Sequence, residues 1–179
     1  MASKQEIWPF CRVFGYHLRP PRKTHDFLTV IGYAVGYYGY PRATMDMDVW
    51  IAVHPDNAEK MSNVMQRFGF PAASLPPAIF LKKGEMVRFG VAPVRLEILT
   101  ELSGVAFEHC WRRRRRIRLD GIIVNLIGLA GLRINKRASS RHKDLDDLSH
   151  LPGARCHGAA RINAFVTPPA RGRGSDRRG

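Results

Sequence analysis

Two aspartates separated by one residue, Asp46 and Asp48, lie where Asp46, Asp48 and Trp50 alternate with Met47, Val49 and Ile51. Period-two alternation predicts a strand over Met45–Val53 with both carboxylates on one face, about 6–7 Å apart. Two carboxylates that close, in a half-dry setting, repel each other and resist ionisation. A divalent cation relieves that repulsion, and magnesium favours carboxylate oxygens together with substrate phosphates. Glu97 is presented in the same way: Arg95, Glu97 and Leu99 alternate with Val94, Leu96 and Ile98. On its own a D-x-D pair is better read as the solvated face of an edge strand, and it is the context of the pair that raises the metal reading.

The elements that must carry these residues follow from local pattern. Phe27–Ile31 is a short β-rich apolar run and predicts a buried strand. Gly32 follows, then a short helix over Tyr33–Tyr38 closed by Gly39-Tyr40-Pro41. Asp56 is the expected N-cap of a helix in which Ala58, Met61, Val64, Met65 and Phe68 recur at helical spacing up to Gly69. Pro71–Pro77 reads as a loop, and Met86–Gly90 and Val94–Leu99 as two strands. Ser103 is the expected N-cap of a helix reaching Trp111. Arg112–Leu119 and Ile122–Leu126 predict a hairpin turning at Asp120-Gly121. Helices are expected over Leu129–Arg137 and Lys143–Leu151.

A chain of 179 residues is long enough for one domain with a real core and too short for two sizeable ones. Residues 1–25 form an N-terminal extension, 26–151 the domain, and 152–179 a basic Gly/Pro/Arg-rich tail expected to be disordered. No run of about eighteen apolar residues is present, and the N-terminus has no secretory pattern; the expected location is cytoplasmic, without a membrane partner. Cys11, Cys110 and Cys156 are odd in number and widely spaced, which argues against disulfides and zinc. The net charge of +14 attracts polyanions, with Arg112–Arg116 as one concentrated run.

Taken together, Val30-Ile31-Gly32-Tyr33-Ala34-Val35, then Gly39-Tyr40-Pro41-Arg42-Ala43-Thr44, then Asp46-Met47-Asp48-Val49-Trp50 resemble the minimal nucleotidyltransferases related to DNA polymerase beta. The resemblance is nearest to the bacterial group that holds AbiEii-type toxins and stand-alone nucleotidyltransferases, and it covers roughly residues 26–150. It implies an α/β (α+β) fold with a mixed sheet flanked by helices and a small C-terminal helical part. It further implies that Asp46, Asp48 and Glu97 are catalytic and hold Mg²⁺ (or Mn²⁺). Gly32 and Tyr33, at the start of the short helix, together with Arg42 and Thr44, would touch the triphosphate of an NTP. The late stretch Lys136 to Leu148, with Lys143-Asp144-x-x-Asp147-Leu148, resembles that group's last motif. There Lys136 and Lys143 would neutralise triphosphate charge.

The implied reaction moves a nucleoside monophosphate from an NTP to a hydroxyl of RNA, a protein or a small molecule. A toxin role would add an antitoxin protein as partner. The sequence departs from the pattern at two places. Ile31 stands where the family has the first glycine of a pair, and Glu97 where many relatives have aspartate. A β-branched residue adopts positive φ at a cost, which leaves open an inactive version of the fold that binds RNA or a protein partner. Ser140 as an N-cap, with acids in the following turn, is the ordinary alternative for the late motif. Arg112–Arg116 fit either an RNA acceptor or a solvated edge that blocks aggregation.

Overall fold

The structure, a computed structural model, describes residues 27–153 apart from 43, 45, 68, 92, 93, 120 and 121. The N-terminal extension, Cys11, Cys156, the hairpin turn and most of the basic tail lie outside the described residues. Six strands form one mixed sheet: β1 (Phe27–Val30), β2 (Asp46–Ile51), β3 (Met86–Val91), β4 (Val94–Leu99), β5 (Arg115–Leu119) and β6 (Ile122–Leu126). Their order is β3-β4-β2-β1-β6-β5. β2 and β4 run parallel, as do β1 and β6, while the β1–β2, β3–β4 and β5–β6 pairs are antiparallel. Helix α1 (Gly32–Tyr37) links β1 to β2, and α2 (Pro55–Arg67) follows β2. Then come α3 (Phe107–Arg112), α4 (Leu129–Ser139) and α5 (His142–His150).

Alternation along the central strands divides the apolar residues between two cores. Met47, Val49 and Ile51 of β2 meet Leu96 and Ile98 of β4 and the Ala58, Met61, Val64, Met65 stripe of α2. Trp50, on the opposite face of β2, joins Leu99, Ala34, Val35, Cys110, Ile127 and Leu132 beneath α1, α3 and α4. Each fully buried side chain of this size contributes about 1.5–3 kcal/mol. The two cores therefore clamp β2 from both sides, and the polar residues on β2 are set in a rigid frame.

Three expected helix starts move. Asp56 is inside the first turn of α2, because Pro55 occupies the first helical position that its missing N–H suits. Helix α3 begins at Phe107 with Ala106 as N-cap, not at Ser103. The chain before it is held by other contacts. The Ser103 carbonyl accepts the Asn135 amide at 3.1 Å. Gly104 has φ 76° and packs against Ala138, where a side chain would collide. Ser140 is the C-cap of α4 with φ 53°, and Arg141 is the N-cap of α5. The expected 71–77 loop contains a 3-10 turn over Ala72–Ser74 and leads into another over Pro77–Leu81.

Candidate active site

Parallel pairing of β2 with β4 sets Asp48 directly opposite Glu97 and Asp46 opposite Arg95. Antiparallel pairing adds Arg88 of β3 opposite Glu97. Asp48 and Glu97 are only 6% and 8% exposed, while Asp46 is half-buried. The three carboxylates thus share one face of adjacent strands, as the alternation of each strand predicts.

Among the described residues, Asp48 has no cationic partner. Burial, the charges of Glu97 and Asp46, and a hydrogen bond with Glu97 together push its carboxyl from 3.8 up to about 7, against a backbone hydrogen bond with Gly32. The Asp48 carboxyl therefore keeps its proton far above the usual carboxylate range.

The other two acids are tied to arginines. Arg95 grips Asp46 with a two-pronged pair, Nε to Oδ1 at 2.6 Å and Nη2 to Oδ2 at 2.7 Å. Arg88 Nε donates to Glu97 Oε1 at 2.7 Å, and Arg95 Nε lies 3.5 Å from the same oxygen. Sequence reasoning placed Arg95 on the face of Glu97 but missed both arginines as partners. The available signal was the spacing: Arg95 and Glu97 share a face, as do Asp46 and Asp48, so neighbouring strands had to bring the basic residue against an acid. Among the described residues, no three Asp, Glu, His or Cys side chains stand in a ready-made metal cage. The donor set nevertheless fits a hard divalent ion in part. Asp48 and Glu97 offer adjacent buried carboxylate oxygens with excess negative charge, the chemistry that Mg²⁺ or Mn²⁺ takes. Asp46 fits only when Arg95 releases it.

The turn before α1 adjoins these acids. Ile31 takes φ 61° and ψ −111°, a conformation that suits glycine and strains a β-branched residue by about 1–3 kcal/mol. The turn therefore keeps a glycine-like shape without the glycine, and the Ile31 side chain packs against the second core. Gly32 is required by close approach: a Cβ there would meet Thr44 Cβ at 2.8 Å. Thr44 Oγ1 in turn donates to the Asp46 carbonyl at 3.0 Å. Tyr33 packs against the first core.

Arg42 donates to both oxygens of Asp147, at 2.7 and 2.9 Å. Its Nη1 is buried with no partner among the described residues. Lys136 is 1% exposed and bridges Asp144 at 2.5 Å and Asp147 at 2.7 Å. Burial pushes both aspartates up, but hydrogen bonds outweigh it, from Lys136 and Arg141 to Asp144 and from Arg42 and Lys136 to Asp147. Both carboxyls stay below their ordinary value. The structure thus gathers Gly32, Thr44, Asp46, Asp48 and Glu97 at one place and ties Arg42 and Lys136 into a separate buried ion network. Lys143 is exposed on α5.

No protein-family model matches the chain, and no curated protein matches it significantly. Solved structures do. A protein from Thermotoga maritima titled "putative nucleotidyltransferase" superposes with a TM-score of 0.55 at 11% identity, over 82% of this chain and 92% of that one. An "antigenic nucleotidyltransferase-like protein" from Paracoccidioides brasiliensis gives a TM-score of 0.49 at 16% identity, over 83% of this chain and 76% of that one. No helix among the described residues is long and apolar enough to cross a membrane. The topology, together with the Thermotoga maritima superposition, shows that this chain has the nucleotidyltransferase fold.

Proposed function

We propose that the chain transfers a nucleoside monophosphate from a nucleoside triphosphate to a hydroxyl acceptor. The observation that carries this reading is the register that sets Asp48 against Glu97, buried and without enough positive charge of their own, beside the Gly32 turn. In the reaction the acceptor oxygen bonds to the α-phosphorus, the bond to pyrophosphate breaks, and the hydroxyl proton passes to a base. The paired carboxylates of Asp48 and Glu97 stand where that proton can be taken up. Asp48 and Glu97, with Asp46 once freed, would hold Mg²⁺ or Mn²⁺, which when bound neutralises phosphate charge. Arg95 and Arg88, standing beside the acids, supply guanidinium donors for phosphate oxygens. Arg42 Nη1 is a donor without a partner among the described residues.

The test is incubation of purified protein with each α-labelled NTP, Mg²⁺ or Mn²⁺, and cellular RNA or protein extract. Label transfer that disappears in Asp48→Asn and Glu97→Gln supports the reading. Absence of both transfer and NTP binding in the wild type overturns it. A narrower reading, a toxin held in check by an antitoxin protein, predicts growth arrest on expression of the wild type and none with Asp48→Asn.

One set of contacts favours a second reading, an inactive fold that serves as a binding module. Arg95 and Arg88 already neutralise Asp46 and Glu97, and the turn carries Ile31 at a glycine conformation. In that case Mn²⁺ does not bind and RNA binding survives Asp48→Asn.

A further inference from the structure

We propose that the edge strand β5 holds the sugar–phosphate backbone of a single-stranded RNA, which is the hydroxyl acceptor. The identification as acceptor rests on the nucleotidyl-transfer reading; the RNA-binding surface itself does not.

Positive charge is left over at one edge of the sheet. Arg42, Arg88, Arg95, Lys136 and Arg141 are each paired with a carboxylate. The run at β5 is different. Among the described residues, no carboxylate lies within ion-pair reach of Arg112, Arg113, Arg115, Arg116 or Arg118. Arg113 meets only His109, at 2.5 Å, and Arg115 only the Tyr37 hydroxyl, at 3.4 Å. All five are exposed. A cluster of like charges this dense is unfavourable by itself and favourable beside a polyanion.

The residue type narrows the partner. Protecting a sheet edge from other strands requires charge, and lysine is the usual choice. Here every basic residue of the run is arginine, whose planar fork matches a phosphate with two hydrogen bonds. β5 is the last strand of the sheet, so one flank is open among the described residues. Arg116 and Arg118 lie on one face about 6–7 Å apart, a spacing suited to successive phosphates along a single strand.

Register then relates this row to the acids. Thr29 is in register with both Val49 and Leu126, and Leu126 with Arg115. Arg116 and Arg118 therefore fall on the face of the sheet that carries Asp46, Asp48 and Glu97. β5 and β2 are three strand spacings apart, roughly 14 Å. Arg116 is level with Trp50, which lies beneath the helices of the second core, so the RNA would pass around that layer, over a few nucleotides, to bring its end to the acids.

Asn125 distinguishes ribose from deoxyribose. It sits opposite Arg116 and accepts from Arg114 Nε at 3.3 Å, and its amide N–H₂ has no partner among the described residues. Arg114 is fixed in turn by stacking on Trp111, 3.8 Å from the ring centroid. A 2′-hydroxyl can accept from that free donor, whereas a deoxyribose lacks the oxygen at that position.

The experiment measures binding of a labelled single-stranded RNA and the same-sequence DNA by fluorescence anisotropy, without NTP, across a salt series. Full-length wild type is compared with Arg116→Gln/Arg118→Gln and with a charge-matched tail control, Arg171→Gln/Arg173→Gln. The β5 variant should bind RNA at least 10-fold more weakly. Its plot of log K against log salt should be shallower by about 1.4, for two lost phosphate contacts on a single strand. Thermal stability and NTP binding should be unchanged, and the tail control should stay near wild type. An undiminished affinity of the β5 variant, or a larger loss in the tail control, overturns the surface. Equal affinity for RNA and DNA overturns the RNA assignment. If the β5 variant loses RNA binding while the wild type transfers no label, the surface stands and the nucleotidyl-transfer reading fails.

Discussion

Replacing Asp48 by Asn should stabilise the protein, and the gain should grow with pH. Below pH 3.8 the carboxyl is protonated in both folded and unfolded chains, so its environment has no effect on stability. As pH rises, the unfolded chain releases this proton near 3.8, whereas the folded chain keeps it until about 7. Across that window the unfolded state binds fewer protons, so wild-type stability falls with pH, and above about 7 the loss is complete. At ~1.36 kcal/mol for each tenfold change in the ionisation constant, the full loss is about 4 kcal/mol. Asn has the same shape, donates to Glu97 as the protonated acid does, and never ionises. Urea unfolding should therefore show the variant more stable by about 1.5 kcal/mol at pH 5 and about 4 kcal/mol at pH 8. Titrating groups that do not interact with Asp48 occur in both proteins and cancel in the difference. A gap that does not widen between pH 5 and pH 8, or a variant less stable than wild type at pH 8, would refute the account of an uncompensated buried acid. Asp46 takes part in the same repulsion, but its own charge is met by Arg95. Asp46→Asn therefore breaks a favourable pair with Arg95 and brings no comparable gain.

Gly32→Ala should cost about 1–3 kcal/mol by forcing a methyl into Thr44, and Thr44→Gly should restore much of that loss in a double-mutant cycle followed by urea unfolding. Lys136→Met should destabilise by about 3–5 kcal/mol, because Asp144 and Asp147 would keep their buried charge with a bridging cation gone. Chemical denaturation at pH 7 checks it, and a neutral result would mean the network relaxes freely. At position 31 glycine should be more stable than alanine by about 1–2 kcal/mol, the reverse of the usual order, since only glycine takes the observed φ without strain. Equal melting temperatures of the two variants would show that the turn relaxes.

The parts legible in the sequence were those with a local period. Alternation around Asp46 and Asp48, and again around Glu97, fixes which side chains share a face, and the sheet joins those faces without further information. The α2 stripe is legible for the same reason. What stayed hidden depends on partners distant in sequence. Arg42 and Asp147 are 105 positions apart, so no local pattern shows that a residue read as a phosphate contact is bound to a helix near the end of the domain. Lys136 reads as a free cation until α5 packs across it. Ser103 and Ser140 have the composition of N-caps, but the first lends its carbonyl to Asn135 and the second closes the helix before it.

The Asp48–Glu97 pairing also determines which sequence changes the fold tolerates. The two carboxylates meet because β2 and β4 run side by side in a given register, not because a flexible segment delivers them. Adding residues to the connection between β3 and β4 would leave that meeting intact. Deleting one residue inside β4 ahead of Glu97, with the start of the strand held in register, would turn its carboxylate into the oily layer under α2 and lift Ile98 into its place. Descendants of this chain can therefore vary freely in the length of that connection, while the count of residues within β4 is as constrained as the acids themselves.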